Sequence, residues 1–253
     1  MIKFYRECYV MFKRQMSIML QSPDALVSAI MIPSLLMFLF VNVFGGAMNV
    51  GDYSYVNYVT FGILMMAACQ ASAIASTASH QDLNSGVMER FRSMPISKLS
   101  FLIGHVLAGS VRNMIACVGM ISVALVLGFR PTASVMEWVW LIGIVMLCMV
   151  LFSWLAMFIS VIAKSTEAAA GYPALLALLP FLSSAFAPVE TLPSWLQGFA
   201  RVQPITPIVD TLRGIAFGGD VGSIWGVAVV WLVGLIVGIQ FMTLLFFKRK
   251  LDV

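Results

Sequence analysis

The sequence predicts an all-α membrane protein with six transmembrane helices. Three observations predict it: six apolar runs, each long enough to cross a bilayer; a composition of 61% hydrophobic and 10% charged residues over 253 positions; and basic residues gathered on one side. A soluble domain carries about 25% charged residues. With a mean hydropathy of +0.97, this chain has too little polar surface to cover itself in water. Its length suits one bundle spanning residues 1–253.

A basic amphipathic helix is expected first, within residues 1–22. Phe4, Cys8, Phe12, Met16 and Met19 or Leu20 recur at helical spacing, while Lys3, Arg6, Glu7, Lys13, Arg14 and Ser17 occupy the other face. Such a helix lies in the interface with its apolar side in lipid; contact with a cytoplasmic partner is the alternative. Ser22-Pro23-Asp24 breaks it and caps the next helix. The following apolar run is too long for a signal-peptide core and has no small-residue cleavage site after it, so a retained helix is expected.

A span needs about 20 apolar residues, because ~30 Å of hydrocarbon is crossed at 1.5 Å per residue. The qualifying runs are Leu26–Phe44, Tyr55–Ala78, Phe101–Phe129, Trp138–Ala163, Ala168–Ala187 and Ile224–Phe247. None alternates with period two, which excludes a membrane barrel. The fifth contains Pro173 and Pro180, so a kink is expected there.

Six spans put both termini on one side. That side holds Lys3, Arg6, Lys13, Arg14, Arg90, Arg92, Lys98, Lys164, Lys248, Arg249 and Lys250, eleven of the fifteen basic residues. The positive-inside rule makes it the cytoplasm.

Two polar stretches stand out. Residues 79–100 form the main cytoplasmic loop, where Val87, Phe91 and Met94 would share one face of a short helix closed by Pro95. Such a knob fits a groove on a partner protein, although a solvated, topology-setting loop has the same composition. Residues 188–223, on the other side, are too apolar for a free loop and too broken for a span. Trp195, Phe199 and Val202 make an apolar face; Pro204 and Pro207 turn the chain into a second helix, with Pro207 placed as its first residue; Ile208, Leu212 and Ile215 line that helix. Asp210 and Arg213 can pair at i, i+3, and Gly218-Gly219 ends the helix. An external gate and a plain structural lid both fit.

Arg112 is the one clear intramembrane charge. It costs at least ~2.5 kcal/mol at mid-depth, so it either snorkels toward the cytoplasm with His105 nearby or serves a polar site. The four cysteines show no CxxC and no clustering with histidine, which points to buried apolar thiols rather than disulfides or zinc. No basic, aromatic-laced stripe suits nucleic acid. Catalytic signatures such as HExxH and GxSxG are absent. Ala163-Lys164-Ser165-Thr166 lacks the glycines of a phosphate loop, with Phe158 where the first would stand. The chain has no engine of its own.

The residues resemble the ABC-2 type permeases, in particular the daunorubicin-resistance type of drug-exporter subunit. The likeness is carried by Asp82-Leu83 with Gly86-Val87-Met88-Glu89-Arg90-Phe91-Arg92-Ser93-Met94-Pro95-Ile96-Ser97. It is carried again by Phe186-Ala187-Pro188, Thr191-Leu192-Pro193-Ser194-Trp195-Leu196, Phe199-Ala200, Gln203-Pro204-Ile205-Thr206-Pro207 and Asp210-Thr211-Leu212-Arg213-Gly214.

The resemblance implies a type V exporter-like bundle in a bacterial plasma membrane that exports a hydrophobic or amphipathic small molecule, or a lipid-linked product. It implies a second copy of the chain or a homologous permease, and two copies of a separate ABC ATPase that bind ATP and Mg; this chain would hold no cofactor. Gly86, Glu89, Arg90, Phe91, Arg92, Met94 and Pro95 would form the helix that couples to the ATPase, braced by the N-terminal helix. Residues 190–217 would be paired re-entrant helices at the external mouth. A secondary transporter, or another polytopic protein uncoupled from ATP, is the alternative; no convincing internal repeat between residues 1–126 and 127–253 favours it.

Overall fold

A computed structural model describes every residue except 1, 47, 49, 52, 86–96, 220 and 253. The described residues are helical, with no strand among them. Helix α1 (Ile2–Gln21) precedes α2 (Pro23–Leu39), which runs into a π-turn at Phe40–Phe44. Next come α3 (Tyr55–Asn84), α4 (Lys98–Val126) and α5 (Val135–Ile162). Short α6 (Thr166–Leu176) leads through 3-10 turns at Leu179–Leu182 and Val189–Thr191 to α7 (Ser194–Val202) and α8 (Ile205–Ala216); α9 (Ile224–Asp252) closes the chain.

Five of these helices are long and apolar enough to cross a bilayer: α2 with its π-turn, α3, α4, α5 and α9. The fifth expected span, Ala168–Ala187, is not one helix. Pro180 lacks the N–H that would reach the Leu176 carbonyl, so α6 ends at Leu176 and a 3-10 turn follows. Where the sequence predicts a kink, the helix stops.

Helix α3 is the mast of the bundle. In its most apolar window 89% of residues are buried, against 17% for α2 and 11% for α9; α2, α4, α5, α6 and α8 all pack on it. Small residues permit the approach. A Cβ on Gly62 would stand 2.5 Å from the Ala185 Cβ, and one on Gly109 would lie 3.3 Å from the Ser153 hydroxyl, the small-residue packing that membrane helices use. The main core gathers Phe61, Ile63, Leu64 and Met65 of α3 with Met120, Met149 and Leu212. All four cysteines are free and buried.

The two ends of the bundle differ. At one end α1 docks on the start of α4, and the Phe101 and Phe247 rings stack at 6.2 Å, which brings the end of α9 to the same place. At the opposite end the Arg130 amide donates to Asn57 at 3.1 Å and the Thr132 amide to the Ala216 carbonyl at 2.9 Å. These bonds tie the α4–α5 connection to the start of α3 and the end of α8. Ser134 and Glu137 form the capping box that starts α5.

Helix α1 is amphipathic, and one face of it docks on the bundle. Its buried residues are Cys8, Met11, Gln15 and Met19; Phe4, Phe12 and Met16 are only half-buried, and Tyr5, Tyr9 and Leu20 are exposed. The face against the bundle carries specific polar partners, so Gln15 lies inward where a hydropathy stripe puts a hydrophobe. Ser22 stands at the N-cap of α2, yet its side chain makes no capping bond.

Candidate functional site

The segment joining α3 to α4 is rooted at Ser85 and Ser97, and α1 holds both roots. Arg14 lies on α1 two turns past Glu7, so the two side chains reach the bundle from one helix at separate points. The Arg14 guanidinium donates to both carboxylate oxygens of Asp82, at 2.6 and 3.0 Å, in the last turn of α3. This planar fork matches a carboxylate in a way that an ammonium does not. The Gln15 amide adds a bond to Asp82 at 2.6 Å.

His105 of α4 completes this cluster. Its Nε2 lies 3.3 Å from Asp82, and its Nδ1 lies 2.9 Å from the Ser79 hydroxyl. Its Nε2 also lies 3.2 Å from the Gln15 amide nitrogen; Asp82, which only accepts, favours a proton on Nε2, whereas Gln15, which donates, favours a bare one. Three helices thus meet at one carboxylate.

The other root is held by Glu7, the sole acid of α1. Its carboxylate accepts from the Ser97 backbone amide and from the Ser100 hydroxyl, both at 3.0 Å. Ser97 is the N-cap of α4 and makes no side-chain cap itself; Glu7 supplies the missing acceptor from another helix, beside the positive helix end. Those hydrogen bonds, led by the Ser97 amide and helped by Lys3 and Arg6, hold the Glu7 carboxyl below its ordinary range.

A polar seam continues inward. Asn113 of α4 donates to the Ser153 hydroxyl at 3.2 Å and to the Met149 carbonyl at 3.3 Å on α5, and it accepts from Ser72 of α3 at 3.3 Å. His80 meets the Ser160 carbonyl at 2.9 Å near the end of α5. Sequence reasoning missed these partners, along with Gln15 and Ser79. The available signal was polar residues in otherwise apolar helices, with Asn113 the lone Asn of α4.

At the opposite end a second cluster is built around Arg213, whose side chain is only 7% exposed. It pairs with Asp210 at 2.8 Å, as the i, i+3 spacing predicts. It also donates to the Tyr58 carbonyl at 3.1 Å and the Ser184 carbonyl at 2.9 Å, and it lies 3.6 Å over the Tyr58 ring. The Ser184 hydroxyl in turn donates to Asp210 at 2.7 Å. One guanidinium therefore joins α8 to α3 and to the end of the 3-10 segment.

The residues expected at an external gate separate into two groups. Asp210 and Arg213 form the cluster just described, and Pro207 is buried in α8 beside Ile208, Leu212 and Ile215. Pro207 is not the first residue of that helix: Pro204 stands at its N-cap and the helix starts at Ile205. Trp195 and Phe199 are 79% and 49% exposed, Val202 is exposed as well, and none of the cluster's hydrogen bonds involves them. Arg112 and His105, expected as one polar site, also diverge; His105 serves Asp82, whereas Arg112 lines a cavity under α2. Gly86, Glu89, Arg90, Phe91, Arg92, Met94 and Pro95 lie outside the described residues.

A family model described as ABC-2 type transporter matches residues 6–217. The chain is similar to the daunorubicin resistance ABC transporter permease protein DrrB1 of Streptomyces coeruleorubidus, 26% identical over 238 residues that cover 90% of this chain and 81% of that protein. It is similar as well to the probable doxorubicin resistance ABC transporter permease protein DrrC of Mycobacterium tuberculosis. That match is 26% identical over 216 residues, covering 83% of this chain and 77% of the relative.

Proposed function

The chain belongs to the ABC-2 type transporter family, and from that premise we propose how this membrane-spanning permease subunit of an ABC exporter receives and uses the force of a separate ATPase. The observation that carries the proposal is the double hold of α1 on the roots of the α3–α4 connection. Glu89, Arg90, Phe91 and Met94 within that connection press on the ATPase, with Gly86, Arg92 and Pro95 shaping the helix. Arg14 and Glu7 carry a push at the two roots into α1, α3 and α4 together. Packed helices then change arrangement as units.

ATP and Mg bind to two copies of the partner, and this chain pairs with a second copy of itself or a homologous permease. The membrane is the bacterial plasma membrane, with both termini in the cytoplasm. Six crossings are favoured over five: α5 ends beside His80, near the inner end of α3, and the chain next meets Tyr55, whose hydroxyl donates to the Phe186 carbonyl at 3.3 Å. The α6 helix and its 3-10 turn make the passage between. Helices α7 and α8 form the external re-entrant pair, with Asp210 and Arg213 as the latch and Trp195, Phe199, Pro204 and Pro207 shaping the mouth. The relatives named for daunorubicin and doxorubicin resistance support a hydrophobic or amphipathic cargo.

The test replaces Glu89, Arg90 and Phe91 together with alanine in cells or vesicles that hold the cognate ATPase. The triple variant is expected to reach the membrane, retain the ATPase's hydrolysis and lose most transport. Unaltered transport at normal expression, or vigorous transport by the permease alone, would sink the proposal.

A further inference from the structure

The elbow between α1 and α2 borders a half-open cavity of about 310 Å³ whose lining includes Ile18, Ser22, Leu26, Ile74, Gln81 and Arg112. Arg112 is the unusual member. It is only 6% exposed, and none of the described residues offers its guanidinium a carboxylate, carbonyl or hydroxyl. A buried cation with no counter-charge is costly, and such residues in a bilayer mark a polar occupant.

The rest of the cavity suits an anion at one end and hydrocarbon at the other. The N-terminus of the seventeen-residue α2 opens on it through Ser22, and that end has no side-chain cap, so its partial positive charge is uncompensated from the cavity side. Asp24, in the same first turn, is exposed and does not line the cavity. Ser22 and Gln81 both line the space, and their hydroxyl and amide groups are further donors. Thr77 contributes less, since its hydroxyl is already spent on the Ala73 carbonyl at 2.9 Å. Ile18, Leu26 and Ile74 give the remaining wall its apolar character.

Depth points the same way. The span Leu99–Val126 has 28 residues, about 42 Å of helix against ~30 Å of hydrocarbon. Arg112 lies about 21 Å from the outer end of that helix. Arg112 is therefore near the middle of the helix; with the surplus ~12 Å of helix extending on the cytoplasmic side, its guanidinium comes within a side chain's reach of the cytoplasmic headgroups.

We propose that this cavity is a binding site for an anionic phospholipid of the cytoplasmic leaflet, whose phosphate is held by Arg112 and the N-terminus of α2 while an acyl chain lies along Ile18, Leu26 and Ile74. Occupancy pins the α1–α2 elbow to α3 and α4, the helices that α1 already clamps. The choice of leaflet rests on the orientation proposed above; the site itself stands on its own cavity and does not depend on how the α3–α4 connection meets the ATPase.

The test is native mass spectrometry of the full-length chain in neutral detergent, titrated with dioleoyl phosphatidylglycerol, with dioleoyl phosphatidylcholine (whose choline cancels the headgroup charge) and with inorganic phosphate. Phosphatidylglycerol is expected to bind about tenfold tighter than phosphatidylcholine, the worth of one charge-assisted fork, and inorganic phosphate alone to bind far more weakly. Arg112→Gln abolishes the preference, Arg112→Lys keeps part of it, and Lys13→Gln, an exposed cation on α1, leaves it intact. Ala25→Phe fills the cavity without touching Arg112 and removes the lipid adduct, which decides the matter even where Arg112→Gln fails to fold. A folded Arg112→Gln or Ala25→Phe variant with the wild-type preference would overturn the site. So would inorganic phosphate binding as tightly as the lipid, since that makes the ligand a free anion.

Discussion

The Arg14 guanidinium meets both oxygens of the Asp82 carboxylate, at 2.6 and 3.0 Å, across 68 residues of chain. The Arg14 side chain is one-third exposed and that of Asp82 much less so, so the pair lies between a surface ion pair and a buried one. Removing Asp82 is therefore expected to cost about 2 kcal/mol, below the 3–5 typical of a fully buried pair. In a thermal or denaturant double-mutant cycle, Asp82→Ala and Arg14→Ala should show a coupling of about 1 kcal/mol or more. Additive losses would mean that the two residues act separately.

Glu7 gives the second prediction, and its sign follows from the hydrogen bonds that lower its carboxyl below the ordinary 4.5. A depressed carboxylate contributes above the unfolded value and loses its contribution as pH falls through the folded one. Hydrogen exchange across residues 97–100, corrected for intrinsic rate, should stay slow at neutral pH and speed up as pH drops below 4.5. Glu7→Ala should already exchange fast at neutral pH and show no further change on acidification. Equal protection in the two proteins at neutral pH would remove Glu7 from the account.

Close packing makes the third prediction. A Cβ on Gly104 would collide with the Met11 side chain and come within 3.2 Å of the Met11 carbonyl carbon and the Phe12 amide nitrogen. Gly104→Ala must push α1 away and should cost about 1–3 kcal/mol. Gly143→Ala, where nothing lies within 4 Å, should be neutral or slightly stabilising, because alanine is the better helix former. Melting temperatures of the two purified variants make the comparison directly.

At the opposite end, Arg213→Ala leaves Asp210 with the Ser184 hydroxyl but no counter-charge, and two buried carbonyls without the guanidinium; it should cost about 3 kcal/mol. Arg213→Lys retains the charge near Asp210 but cannot reach the carbonyls of Tyr58 and Ser184 with one fork, so an intermediate loss is expected. A lysine variant as stable as wild type would reduce the cluster to its ion pair.

Much of the architecture was legible because lipid enforces long apolar runs. The starts of α3 and α9 match expectation at Tyr55 and Ile224, and α3 runs about two turns beyond the predicted Ala78, since its inner end is polar yet still helical. The fifth run was legible only in part: its prolines announce a break, but hydropathy cannot tell a kinked helix from a short one followed by a 3-10 turn. The Asp210–Arg213 pair was visible because i, i+3 is a local spacing. Tyr58, Ser184, Asp82 and Gln15 were not assigned their roles, because their partners lie on other helices and no periodicity connects them. Gln15 is the clearest case; a hydropathy stripe ranks it as a surface residue, and only Asp82 explains its burial.

The two helices that flank the inner connection, α3 and α4, are the least apolar of the five long ones, and α3 is also the most enclosed. A helix shielded by protein is free to carry the serines and histidine that α3 gives to the polar seam, but it enters the membrane before that shield exists. Its biogenesis must therefore lean on neighbours: the more apolar α2 and α5 partition readily and bracket the pair as it leaves the translocon. Assembly order is thus written into the seam. A substitution that makes α3 more greasy would ease insertion of that helix while erasing the contacts that tell it where to dock.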